Sequence, residues 1–385
     1  MSSAPAITSK MIPVARPYIG SEEEQATIDA LRSGWITQGP RVAEFETRFA
    51  KYVGSSHAVA LSSCTTALYL ALVASGIGPG DEVICPSLSF IATANAITYT
   101  GATPIFADID PDTYNLDPAS VEMLISPRTR AILAVHQIGL PADLDALSAI
   151  AERYSLVLIE DAACAIGSEY HDERIGRPRG SMACFSFHPR KILTTGEGGM
   201  ITTNDGELAD KLRRLRQHAM SLSDVARHSA TRIATETYDE IGFNFRMTDI
   251  QAAIGMVQLE RLGILLERRR YLAARYDQAL EDMPWLQRPH VPEHCLHNYQ
   301  SYMVRLRSSA PARDALMQGM LEKGISTRRA VMAIHRERPY LENESGKHLP
   351  HTDRVADTGI ILPLFHQMSE ADQDYVIETL HTFTI

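Results

Sequence analysis

Three short segments of this 385-residue chain carry side chains that could act together on one small ligand. The first is Leu156-Val157-Leu158-Ile159-Glu160-Asp161, an apolar run ending in two acids and followed by Ala162-Ala163-Cys164. A carboxylate in such a place is costly unless it faces a positive partner. Asp161 could give that pairing to a protonated ring nitrogen; read alone, it serves equally as a helix N-cap. The second segment is Ser186-Phe187-His188-Pro189-Arg190-Lys191, with Thr194-Thr195-Gly196-Glu197-Gly198-Gly199 close behind. A deprotonated lysine amine forms a Schiff base with an aldehyde, and burial beside other positive groups promotes the reactive form. The glycines that follow would let backbone approach a flat ligand closely, although their spacing is not that of a dinucleotide fingerprint. His188 is near enough in sequence either to touch such a ligand or to be purely structural. The third segment, Ser62-Ser63-Cys64-Thr65-Thr66-Ala67, brings hydroxyls and free N–H groups to a helix start, which suits a phosphate.

The elements that must position these residues are legible as alternating patterns. Apolar runs at 58–61, 82–85, 103–107, 131–136, 156–161, 183–187 and 200–203 predict strands. Most are continuous rather than alternating, as expected where both faces of a sheet are covered. Helical patterns lie between them, for example at 65–75, 118–125 and 144–154, so the class is α/β with a largely parallel sheet. Residues 247–283 read as a long helical connection with possible breaks at Gly255 and Gly263, and a smaller α+β unit follows. In an open α/β sheet, ligands sit beyond the carboxyl ends of the strands. All three segments fall at such ends. A phosphate cradle, a ring-nitrogen partner and an aldehyde trap are the parts a protein supplies to pyridoxal phosphate.

Longer motifs carry a resemblance. Gly34-Trp35-Ile36-Thr37-Gln38-Gly39-Pro40, Gly80-Asp81-Glu82-Val83, Ile109-Asp110-Pro111-Asp112-Thr113-Tyr114 and Gly242-Phe243-Asn244-Phe245-Arg246-Met247-Thr248-Asp249 flank the lysine segment in order. With it they resemble the DegT/StrS family of nucleotide-sugar aminotransferases, which have the fold-type I pyridoxal-phosphate architecture. The resemblance runs over nearly the whole chain. It implies a large cofactor-binding domain with an N-terminal arm over 1–262, its mostly parallel mixed sheet flanked by helices, and a smaller α+β domain over 263–385. It also implies pyridoxal 5'-phosphate on Lys191 and Asp161 on the ring nitrogen. Thr65, Thr66 and Ser186 would hold the phosphate, Phe90 would stack on the ring, and Asn244 would come from the partner of a homodimer with shared sites. Arg246, His335, Arg328 and Arg329 are candidates for substrate contacts, the adjacent arginines for a diphosphate. Three positions depart from the family pattern. Cys164 stands where Gln or His bonds the cofactor's phenolic oxygen, Cys64 replaces a glycine, and 327–335 lacks the usual His-Tyr-Pro-rich segment.

The function expected from this resemblance is amino transfer from glutamate or glutamine to a keto group of a nucleotide-linked deoxysugar. The alternatives are a keto-cyclitol acceptor, a sugar dehydratase, and a non-catalytic regulatory relative. The dehydratases replace the lysine with histidine, so Lys191 counts against them, and a pure binder has no need of it. A net charge of -10 argues against nucleic acid and anionic membrane as partners. The five scattered cysteines contain no CxxC pair and suggest free thiols in a reducing compartment. With no apolar leader or membrane-length run in the sequence, a cytoplasmic location is expected. No metal site is expected either. Asp108, Asp110 and Asp112 lack the glycine and terminal Glu of a calcium loop. Pro292 interrupts the cluster of His290, His294, Cys295 and His297.

Overall fold

Alternate residues of each central strand feed apolar side chains to opposite sides, which is why the runs read as continuous. Val59 and Leu61 enter one core, while Ala58 and Ala60 enter another. Met182 and Cys184 are divided from Ala183 and Phe185 in the same way. The computed structural model describes residues 11–221 and 235–383, so the first ten residues of the expected N-terminal arm lie outside the described residues.

All seven expected strands are present, in the order His57–Leu61, Gly199–Thr203, Met182–Ser186, Val157–Asp161, Thr129–Val135, Glu82–Pro86, Thr103–Ala107. Gly199–Thr203 runs antiparallel to both neighbours, and every other pairing is parallel. Helices cover both faces, giving the mixed-sheet, fold-type I architecture. The carboxyl ends of Val157–Asp161 and Met182–Ser186 lie side by side, with Asp161 opposite Cys184.

The C-terminal part builds a separate four-stranded antiparallel sheet from Leu286–Gln287, Tyr302–Leu306, Gly359–Leu362 and Arg328–Arg329. Ile12, from the N-terminal arm, is buried in the core of this sheet and pairs beside Ile325. Residues 333–349 reach back to the large sheet. Ile334, Tyr340 and Leu349 join its core, and Ser345 Oγ accepts the Phe106 N–H at 2.7 Å.

The long helical stretch breaks at neither expected glycine. It divides into Asp249–Glu260 and Leu262–Ala279 at Arg261, whose guanidinium pairs with Glu22 at 3.0 Å and Glu23 at 3.1 Å. Gly255 stays helical because it packs on Phe45; a Cβ there would lie 2.7 Å from the ring. Asp249, at the start of the first of these helices, also caps the helix Pro40–Val53. Its carboxylate accepts the N–H groups of Gly39, Val42 and Arg41 at 2.8, 3.0 and 3.1 Å. One aspartate therefore fastens two of the motifs read from the sequence to each other.

Candidate active site

Lys191 sits on the turn after Met182–Ser186, its own N–H donating to the His188 carbonyl at 2.8 Å. Its amine lies 3.0 Å from Cys164 Sγ. Gln300 holds the backbone on both sides of the lysine: Oε1 accepts from Ile192 N at 3.1 Å, and Nε2 donates to the Arg190 carbonyl at 2.7 Å. Two residues earlier, Asn298 Nδ2 donates to the carbonyls of Cys164 and Ile166 at 2.8 and 2.9 Å. A single segment thus clamps the turns that carry the amine and the thiol. Neither Gln300 nor Asn298 was read as functional from the sequence, because each acts on backbone more than a hundred residues away.

Asp161 is buried, with Oδ1 accepting the Ala163 N–H at 3.1 Å and Oδ2 accepting the Thr93 hydroxyl at 3.2 Å. Burial pushes its carboxyl above the ordinary value; the Ala163 N–H, the nearby Lys191 ammonium, Thr93 and His136 act against that. The preceding acid, Glu160, points the other way along the alternating strand. It accepts from His136 Nε2 at 3.1 Å and from Arg179 N at 2.8 Å, a structural role. For Lys191 burial is the largest influence and acts downward, but Cys164, Cys64 and Asp161 together carry the ammonium above its ordinary value. Burial raises the Cys64 thiol well above its usual range.

The segment expected to take a phosphate does open a helix. Ser63 caps the helix Cys64–Ala74, its hydroxyl accepting from Thr66 N, while Thr66 Oγ1 accepts the Ser63 N–H at 3.1 Å and donates to the Ser63 carbonyl at 2.8 Å. Thr66 is therefore committed to the cap. Thr65 makes no side-chain hydrogen bond among the described residues, and the first turn leaves N–H groups without intrahelical partners. Ser186 stands beside this helix start because its cross-strand neighbour is Gly199. A Cβ on Gly199 would lie 2.3 Å from the Ser63 carbonyl oxygen and 2.7 Å from Cys64 N. Gly199 thus lets the strand and the helix start approach backbone to backbone.

Phe90 presents an open face, being 62% exposed. Its loop is fixed from below by Ser89, whose hydroxyl meets Thr93 Oγ1 at 2.7 Å, so one chain of hydroxyls links the loop to Asp161. From the side it is held by His335, a candidate substrate contact that the structure places otherwise. Nδ1 of His335 meets Ser87 Oγ at 2.7 Å and Nε2 meets Asp353 Oδ1 at 3.1 Å, leaving neither nitrogen for a ligand. His188 likewise spends Nδ1 on the Arg190 N–H at 3.2 Å.

The adjacent arginines do not act as a pair. They lie on a strand, opposite Ile361 and Ile360, so their side chains leave on opposite faces. Arg328 faces Arg190, His188 and the lysine turn. Burial and Arg190 both lower its pKa, and neither guanidinium has an ion pair among the described residues. Arg329 points to the other face. Asn244 is exposed and accepts from Arg246 Nε at 3.2 Å. The two thus stand together, and the Phe245 carbonyl between them accepts the Ser62 N–H at 2.8 Å. The Asp110 carboxylate forms a local turn, accepting the N–H groups of Asp112 and Thr113 at 3.0 and 2.7 Å.

A family model of DegT/DnrJ/EryC1/StrS aminotransferases matches residues 17–381. The chain belongs to that family. Among DegT-family relatives it is 41% identical over 377 residues to the spore coat polysaccharide biosynthesis protein SpsC of Bacillus subtilis (strain 168), covering 96% of each chain. Its structure is similar to that of an aminotransferase, TlmJ, from Streptoalloteichus hindustanus, with a TM-score of 0.89, 35% identity, and coverage of 97% and 98% of the two chains. S. venezuelae DesV, in complex with a ketimine intermediate, gives a TM-score of 0.89 at 34% identity, with coverage of 98% and 99%. This DegT-family member is accordingly a pyridoxal-phosphate-dependent transaminase of the sugar-aminotransferase group. No helix among the described residues is long and apolar enough to cross a membrane.

Proposed function

We propose that the protein moves an amino group from glutamate or glutamine to a keto group on a nucleotide-linked deoxysugar, using pyridoxal 5'-phosphate held on Lys191. The observation that carries this is the meeting of an amine at 191 with a buried carboxylate at 161, beside a helix start whose Thr65 hydroxyl has no partner. That geometry fits the cofactor: an aldehyde trap, a ring-nitrogen partner and a phosphate seat occupy neighbouring strand ends. When bound, pyridoxal phosphate supplies an electron sink for charge developing on a substrate carbon, and an aldehyde carbon that carries the amino group.

The protein's own groups then have distinct tasks. Asp161 keeps a proton on the ring nitrogen. The first turn at Thr65, with Ser186, takes the phosphate; Thr66 shapes that turn. Phe90 covers one ring face. Lys191 would hold the cofactor's aldehyde, and its amine, once freed, would carry the proton taken from the substrate carbon. Arg328, joined by Arg190, offers two guanidinium groups to substrate phosphates. The exposed Asn244 and Arg246 reach the site of a second copy, so the working unit is a homodimer. The relative SpsC, a spore coat polysaccharide biosynthesis protein, supports a sugar acceptor. Five free cysteines suit a cytoplasmic location.

The test is chemical. Borohydride treatment of the cofactor-loaded protein should fix the cofactor to Lys191, and Lys191→Ala should lose both the adduct and turnover. Glutamate or glutamine should shift the visible absorbance, and a nucleotide-linked ketosugar should restore it. Retained turnover in Lys191→Ala, or no shift with any amino donor, refutes the assignment. Restoration by a keto-cyclitol alone would move the acceptor class.

A further inference from the structure

Amino transfer needs no sulfur at the lysine, yet Cys164 Sγ lies 3.0 Å from Lys191 Nζ. Both turns are held in this register by the Asn298–Gln300 segment, which fixes the Cys164 carbonyl and the backbone on either side of Lys191. Cys164 is neither buried away nor disulfide-bonded. The other two sulfurs near the site, Cys64 and Cys184, are buried in the core, and Cys64 Sγ is directed at the Cys184 carbonyl at 3.8 Å. The nearest group able to attack an oxidised Cys164 is therefore an amine.

We propose that Cys164 and Lys191 form an oxidant-dependent covalent lock, a sulfur–nitrogen bond that removes the amine from cofactor chemistry. A hydroperoxide gives one oxygen to the Cys164 thiol; the peroxide O–O bond breaks, a sulfenic acid forms, and the alcohol or water leaves. Lys191 first gives its ammonium proton to solvent, and the lone pair so exposed attacks that sulfur. The S–N bond forms as the S–O bond breaks, and the departing hydroxide takes a proton from nitrogen to leave as water. Two small thiols reverse the lock. The first attacks sulfur and releases the amine with a proton; the second resolves the mixed disulfide, restores Cys164 and is itself oxidised to a disulfide with the first. The amine can hold either the cofactor's aldehyde or the sulfur, so cofactor and lock exclude one another. Only this last consequence rests on the cofactor role proposed for Lys191.

The experiment uses the full chain, freed of cofactor and treated with hydrogen peroxide. The intact mass should fall by two hydrogens. Trypsin should fail to cut after Lys191 and should yield a peptide joining the Cys164 and Lys191 segments, and dithiothreitol should undo both changes. Cys164→Ser and Lys191→Arg should each abolish the joined peptide. Sulfinic or sulfonic acid at Cys164 with a free Lys191 amine, a disulfide to Cys64, or an unmodified Cys164 would each overturn the lock. Cofactor loading beforehand should suppress the joined peptide. Equal yields with and without cofactor would refute the role of Lys191 while leaving the lock intact, whereas a borohydride-fixed cofactor on a protein that never forms the joined peptide would do the reverse.

Discussion

The role proposed for Lys191 needs an aimed amine, and the residue that holds its backbone is Gln300. With both ends of its amide engaged, it fixes the peptide groups on either side of residue 191. Gln300→Leu keeps the volume but leaves Ile192 N–H and the Arg190 carbonyl without partners, at a cost of about 1–3 kcal/mol each. The expected outcome is a kcat lower by about tenfold, since a misplaced amine forfeits roughly 1.4 kcal/mol or more of barrier lowering. KM for the sugar should change less, and Gln300→Glu, which keeps the acceptor, should fall between. Steady-state kinetics on the three proteins checks this. The second residue-scale consequence concerns pH. Burial lowers the His335 pKa below its ordinary value, Asp353 and Asp108 opposing and Arg336 assisting. In the neutral ring, Ser87 Oγ–H donates to Nδ1 and accepts from the His335 N–H, while Nε2–H donates to Asp353. A lowered folded value means the stabilisation is complete above the ordinary histidine pKa and is lost as pH falls through the lowered one. Denaturant titrations should therefore show the wild type losing stability relative to His335→Gln as pH drops below about 6. A constant difference across that range would show that this ring does not govern the Phe90 loop.

At the scale of elements, the proposed phosphate seat depends on how closely a strand and a helix start can approach. Gly199→Ala would put a methyl group 2.3 Å from the Ser63 oxygen, against backbone that cannot rotate away. Overpacking of this kind costs about 1–3 kcal/mol. Because the displaced group is the cradle itself, cofactor affinity should fall by about tenfold or more, equivalent to at least 1.4 kcal/mol, while the fold persists. Equilibrium dialysis with pyridoxal phosphate, alongside circular dichroism, separates the two effects. The elements were largely readable beforehand: a strand covered on both faces must be apolar throughout, and seven such runs became the seven strands of the main sheet. Lys191, Asp161 and Thr65 could be proposed as site residues because strand ends are where such sheets place ligands, and the structure puts each of them just beyond or at such an end. What lay beyond reach was pairing across distance. Nothing around residue 300 announces a bond to residue 192, and nothing in Arg328-Arg329 says which arginine faces inward until their strand finds Ile360 and Ile361. Asp108 is similar: discounted as a calcium ligand, it accepts the N–H groups of His351 and Thr352 at 3.0 and 2.8 Å, at the start of Pro350–Thr358.

At the scale of the whole molecule, the proposed homodimer assigns Asn244 and Arg246 to the neighbouring site. Asn244 and Arg246 follow an aromatic platform in which Phe243 and Phe245 stack at 4.9 Å, with Tyr69 edge-on to both. Near it in sequence, Tyr238 and Ile241 are 56% and 88% exposed. Rings and aliphatic side chains displayed this way are what a symmetric interface covers. If Asn244 completes the site of the second copy, its loss is a defect of the neighbour. Lys191→Ala and Asn244→Ala homodimers should then both be nearly inactive. In a mixed dimer, one site would carry both lesions and the other would pair an intact lysine with an intact asparagine. Random reassociation of equal amounts makes half of all dimers mixed, so about a quarter of wild-type activity should return. If Asn244 served its own protomer, every site in every dimer would remain broken, and mixing would recover nothing.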